Sequence, residues 1–128
     1  MSFYTVVNCM DGRVQLPVIN YIMDRFGVDY VDSITEPGPN RLMAQDADSV
    51  VVRGILEKIS ISLHRHKSRG VALVGHHDCA GNPSKKGEQV EQLRKAMAVV
   101  KKEFPDIDVI MLWVNNDWEV EEVAVEGA

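Results

Sequence analysis

The run Val71-Ala72-Leu73-Val74 is apolar without a break and leads straight into the polar loop Gly75-His76-His77-Asp78-Cys79-Ala80-Gly81-Asn82-Pro83. A short run that is apolar on both of its alternating faces fits an interior parallel strand, covered above and below, better than a strand facing water. Parallel neighbours cannot be joined by a tight turn, so the rest of the chain must supply crossover helices. The remaining pattern obeys this demand. Phe3–Val7 reads as a strand ending at Asn8-Cys9-Met10-Asp11-Gly12-Arg13, and Gln15–Phe26 as a helix with Pro17 in its first turn and Gly27 at its end. Val28–Ile34 is a second strand. Glu36-Pro37-Gly38-Pro39-Asn40 reads as a rigid, non-helical connection because two prolines remove donors and fix φ.

From Asp46 or Asp48, Val51, Ile55, Ile59 and Leu63 recur every four residues, with Val52 and Leu56 widening the stripe of a helix buried on one side. A further helix from Gly87 to Phe104 carries Val90, Leu93, Met97, Val100 and Phe104, and Pro105 ends it. Asp108–Trp113 is another strand, and Trp118–Val123 its hairpin return on a sheet edge beyond Asn115-Asn116-Asp117. The expected fold is therefore α/β: a mainly parallel four-stranded sheet flanked by helices, with a C-terminal antiparallel edge strand, in a single domain over residues 1–128.

Composition narrows the functional classes. Fourteen basic against nineteen acidic side chains give a formal charge of -5, which opposes general attraction to nucleic acid. The basic run His64-Arg65-His66-Lys67-Ser68-Arg69 falls at a helix end, where cations meet the negative end of the dipole. No apolar stretch approaches the roughly 18 residues of a membrane span. Two cysteines are too few for a secreted disulfide scaffold, and MSFYTVVNC has no signal-peptide pattern, so the expected location is cytoplasmic. The segment Gly81-Asn82-Pro83-Ser84-Lys85-Lys86-Gly87 lacks the G-x-x-x-x-G-K-[ST] phosphate cradle. Trp113 and Trp118 read as core or hairpin packing in preference to substrate contacts.

The chemistry concentrates in the two loops that follow strands. Cys9 ends one strand and His76 and Cys79 follow another, and in an open parallel sheet such ends converge. Two thiolates and an imidazole are a recognised ligand set for catalytic zinc, with a fourth position left open. The same residues also fit buried small side chains and a hydrogen-bonded loop histidine, or a redox-sensitive Cys9–Cys79 pair. Asp11 can be a fourth ligand, which closes the site, or can be held off by a bidentate pair with Arg13, which leaves it open to water. His77 reads as a loop residue more than a proton relay, and Asp78 as a residue orienting an amide or a nearby cation.

Cys9-Met10-Asp11-Gly12-Arg13 resembles the Cys-x-Asp-x-Arg motif of β-class carbonic anhydrases, and Gly75-His76-His77-Asp78-Cys79 resembles their Gly-His-x-x-Cys motif. The resemblance covers most of the chain. It implies Zn2+ held by Cys9, His76 and Cys79, with Asp11 and Arg13 as the gating and catalytic dyad, Asp11 joining the metal in a closed state. It implies reversible hydration of carbon dioxide to bicarbonate, a lyase reaction, in a homodimer or higher homo-oligomer. Hydrolysis of carbonyl sulfide or carbon disulfide, or a non-enzymatic zinc protein, are the alternatives. The chain departs from the family in three places: it opens a few residues before Cys9 instead of with a longer helical region, it carries Pro37-Gly38-Pro39-Asn40 where the family has Arg-Asn-Ala-Gly-Asn, and Ala80 follows Cys79 in place of glycine.

Overall fold

The computed structural model describes residues 1–124. Five strands form one sheet: β1 (Phe3–Cys9), β2 (Tyr30–Glu36), β3 (Val71–His76), β4 (Val109–Val114) and β5 (Val120–Val123). Their order across the sheet is β2-β1-β3-β4-β5, with the first four parallel and β5 antiparallel to β4. This is the α/β arrangement the sequence implies. Side chains alternate across it as a pleat requires: Val7, Leu73 and Met111 face one core, while Val6, Ala72 and Leu112 face the other.

Four helices cover the two faces: α1 (Gln15–Phe26), α2 (Pro39–Gln45), α3 (Val50–Arg65) and α4 (Lys86–Glu103). Helix α1 seats Val18 and Ile22 on the face of Val6, whereas α2, α3 and α4 bury Met43, Ile59 and Leu93 on the face of Val7. Gly27 stops α1 in the left-handed conformation (φ 64°), its amide donating to the Met23 carbonyl at 2.8 Å. Ser49 starts α3 by accepting the Val52 amide. The basic run does lie at the α3 C-terminus, where His66 bonds Asp32 and His64 bonds Ser60.

The structure corrects three sequence expectations. Pro39 begins the short helix α2 within the segment read as non-helical, because proline at the first helical position loses no hydrogen bond that the helix needs. Strand β1 continues through Asn8 and Cys9, and β2 is shifted to Tyr30–Glu36. The buried stripe of α3 starts at Val52, with Val51 42% exposed, and that of α4 includes Gln89 and Gln92 while Val90 and Met97 are only half-buried.

A buried hydroxyl cluster pins α3 to the sheet. Ser62 lies 2.6 Å from Asp32, Thr5 and Ser68. Its single proton goes to the Asp32 carboxylate, so Thr5 and Ser68 donate to its two lone pairs. Ser62→Ala therefore leaves two buried donors and a carboxylate short of partners, and is expected to cost about 2 kcal/mol. Urea denaturation of the metal-free chain checks this; a loss under about 0.5 kcal/mol contradicts the network.

Candidate metal centre

The chain leaves β1 toward β2 on one side and later returns through β3 on the other, so strand order reverses between β1 and β3. At such a switch point the loops beyond the carboxyl ends diverge and open a crevice. Cys9 is the last residue of β1 and His76 the last of β3. Asp78, in the left-handed conformation (φ 58°), turns the chain back so that Cys79 joins them.

All three side chains are buried, and one ligand atom from each lies within 4.8 Å of the other two. The thiol sulfurs are 3.7 Å apart, within hydrogen-bonding reach and not joined in a disulfide. Two sulfurs each about 2.3 Å from a tetrahedral zinc stand about 3.8 Å apart. The His76 Nδ1 is 2.7 Å from the His77 carbonyl, to which it donates. Its Nε2 is buried and has no hydrogen-bond partner. An orphaned imidazole lone pair beside two sulfurs at this spacing fits a thiophilic cation such as zinc.

The electrostatics favour loss of the first thiol proton. Burial pushes the Cys9 thiol up, but the adjoining His76 imidazole and the nearby amides of Gly38 and Asp11 outweigh it, and the net shift is downward. Cys79 moves upward through burial and the charge on Cys9, only partly offset by the amides of Gly81 and Asn82. Burial lowers the His76 pKa, and the adjoining Cys9 sulfur together with the bond to the His77 carbonyl more than reverse that. One thiolate thus precedes the other, and a bound dication would favour loss of the second proton as well.

These amides come from two loops in tight contact. A Cβ on Gly38 would sit 2.7 Å from the Gly81 carbonyl oxygen, and one on Gly81 would sit 2.6 Å from the Pro37 carbonyl carbon. Gly38 also has φ 60°, which glycine adopts without strain. Buried Gln89 splints the site from α4: its Oε1 accepts the His76 amide, and its Nε2 donates to the carbonyls of His76 and Ser84. Asn40 donates to the Val74 carbonyl just below His76. Sequence reasoning missed Gln89, Gly38 and Gly81. A glutamine on a helix ordinarily faces water, and only the offset of Gly81 from Cys79 was visible.

Asp11 caps the single 3-10 turn Gly12–Val14 by accepting the Arg13 amide. Both its carboxylate oxygens accept from the Arg13 guanidinium, the shortest contact being 2.7 Å. Arg13 holds the Asp11 carboxyl at about 2. Asp11 is outside the group of ligand atoms formed by Cys9, His76 and Cys79. Arg13 also donates to the Asp78 carboxylate and carbonyl, so Asp78 does orient a nearby cation. His77 is exposed, its amide bonded to Val114. Trp118 packs on the core, yet its ring also covers the Arg13 guanidinium at 4.3 Å. Two cavities of about 640 Å³ each are away from this cluster, one of them lined by Leu56, Leu63, Phe104 and Ile107 and the other by Tyr4, Phe26 and Val109.

A parallel α/β sheet that gathers Cys2His at its switch point beside an Asp–Arg pair defines a carbonic-anhydrase-like fold with a potential metal centre. Residues 1–124 match the family described as "Putative carbonic anhydrase", and the chain belongs to that family. It is also similar in fold to the crystal structure of β-carbonic anhydrase isoform I from Trichomonas vaginalis, at 15% identity and a TM-score of 0.61, over 94% of this chain and 80% of that one. No curated protein matches the sequence. Among the described residues, no helix is long and apolar enough to cross a membrane.

Proposed function

We propose that this chain binds one zinc ion through Cys9, His76 and Cys79 and catalyses the reversible hydration of carbon dioxide to bicarbonate. The observation that carries the reading is a three-ligand cluster beside an Asp11 carboxylate held ionised and in place by Arg13. A bound zinc supplies Lewis acidity that makes water a nucleophile near neutral pH. The chain's own residues do the rest. The amides of Gly38, Gly81 and Asn82 stabilise the thiolates, and the His77 carbonyl fixes the His76 tautomer. Asp11, kept ionised by Arg13, is the acceptor that orients an incoming water hydrogen, while Arg13 holds Asp11 from becoming a fourth ligand.

The same reading makes residues 1–128 one domain, acting in the cytoplasm as a homo-oligomer. Exposed Met10 and Leu16 flank the Cys9 loop and favour an apolar neighbour there.

The test is carbon dioxide hydration by protein purified without chelator, with zinc measured on the same sample. About one zinc per chain is expected, with turnover reduced at least a hundredfold by Cys9→Ser. Stoichiometric zinc without turnover between about pH 7 and 9 sinks the reaction and leaves the metal site standing, with carbonyl sulfide the next substrate to try.

A further inference from the structure

Among the described residues, three that are not glycine have a left-handed backbone: Lys67, Asp78 and Trp118. Two of the three touch Arg13. Left-handed geometry is tolerable for aspartate and rare for a bulky aromatic residue, so Trp118 (φ 61°) is held there by its surroundings. The β4–β5 hairpin shows how. The Asn115 side chain accepts the amides of Asp117 and Glu119, the Asn115 carbonyl accepts the amide of Trp118, and the Asn115 amide returns to Glu119. That turn leaves the Trp118 ring over Arg13 and within 6.4 Å of the His76 and His77 rings.

The guanidinium is consequently held on three sides. Asp11 takes Nε and one terminal nitrogen, Asp78 takes both terminal nitrogens, and the indole covers its face. The Asp78 bonds join the Cys9 loop to the His76–Cys79 loop, and the indole adds a tie from a third segment. Arg13 is 46% exposed on its side chain, so without these ties water would compete for its donors.

We infer that Asp78 and Trp118 are positioning residues that lock Arg13, and through it Asp11, away from the metal position, keeping the fourth ligand place free for a small exogenous molecule. This rests on the metal-centre reading above and extends it to two residues outside the ligand and dyad sets. A cation–π contact of this kind biases an equilibrium about fivefold at an exposed site and more when desolvated. If Asp11 moves onto the metal, the apparent affinity for an exogenous ligand falls with the fraction of open sites.

The experiment uses the Co(II)-loaded chain, whose visible spectrum reports the metal's ligands, with azide as the probe. Trp118→Gly, which suits the left-handed backbone, is expected to weaken azide binding by up to about fivefold, and Trp118→Gly with Asp78→Asn by more. Co(II) affinity should not fall in either, because the Asp11 carboxylate that displaces azide adds a ligand to the metal. Trp118→Phe, which keeps the packing and a weaker π face, should lie between. In an Asp11→Asn background the effect of Trp118→Gly should vanish, because no carboxylate remains to close the site. An equal loss in that background makes Trp118 a plain wall and overturns the inference, as does azide affinity unchanged in both Trp118→Gly and the double variant. Failure of the unaltered chain to take up Co(II) overturns the metal centre and the lock together.

Discussion

Adding zinc at about a thousand times its dissociation constant to the metal-free chain is expected to raise the melting temperature by about 10–15 °C. A ligand that binds only the native state stabilises it by about 4 kcal/mol at that excess. For a domain of this length each kcal/mol moves the midpoint by about 3–4 °C. The ligands come from two loops set 67 residues apart, Cys9 and His76, so the unfolded chain has no comparable preformed site. His76→Ala removes the imidazole whose Nε2 lone pair is otherwise unpaired, and should reduce the zinc shift, taken from the variant's own metal-free midpoint, below about 3 °C; loss of a buried ring lowers that midpoint itself. Differential scanning calorimetry with and without chelator measures both. A zinc shift that survives His76→Ala intact places the metal elsewhere and sinks the assignment.

The sequence was most informative where a local rule and the global fold agree. Val71–Val74 demanded a covered parallel strand and is wholly buried in β3, and Pro17 and Gly27 mark a helix that runs from Gln15 to Phe26. The ligand cluster was legible for the same reason: Cys9 and His76 end neighbouring strands, so finding the strands brings the ligands together. What surrounds the cluster was not legible. Helix α2 hid behind two prolines, since Pro39 is compatible with either a loop or a first helical turn. Gln89 and Gln92 carry no signal of burial by residue type, and their roles depend on partners that only the folded chain brings within reach: Gln89 donates to the His76 carbonyl, and Gln92 accepts from the Asn82 side-chain amide. Trp118 was read as packing, which is true of its ring, but its contact with Arg13 depends on a left-handed turn that four polar hairpin residues do not announce.

Gly38→Ala is expected to lower stability by about 2–4 kcal/mol, and Gly81→Ala by about 2–3 kcal/mol, both among the largest single-methyl effects this chain offers. Inserting a methyl where no space exists costs about 1–3 kcal/mol through shifted backbone. At Gly38 the new Cβ meets the Gly81 carbonyl and the Asn82 Cβ within 3 Å, and the left-handed backbone adds about 1 kcal/mol for any residue with a side chain. At Gly81 the neighbour is the Pro37 backbone, which Pro37 and Pro39 stiffen on either side of Gly38, so the loops have little slack with which to yield. Urea midpoints of the metal-free variants measure the loss, and an unchanged m-value shows that the unfolding transition remains the same. A cost under about 0.5 kcal/mol at Gly38 contradicts the interlocked loops. Zinc affinity should fall in parallel, because Gly81 lies two residues from the ligand Cys79 and Gly38 packs directly against Gly81. The segments Pro37–Asn40 and Ala80–Gly81 are thus coupled to each other: Gly38 fits because Gly81 faces it, and together they let the Pro37–Asn40 segment press against the loop that carries Cys79.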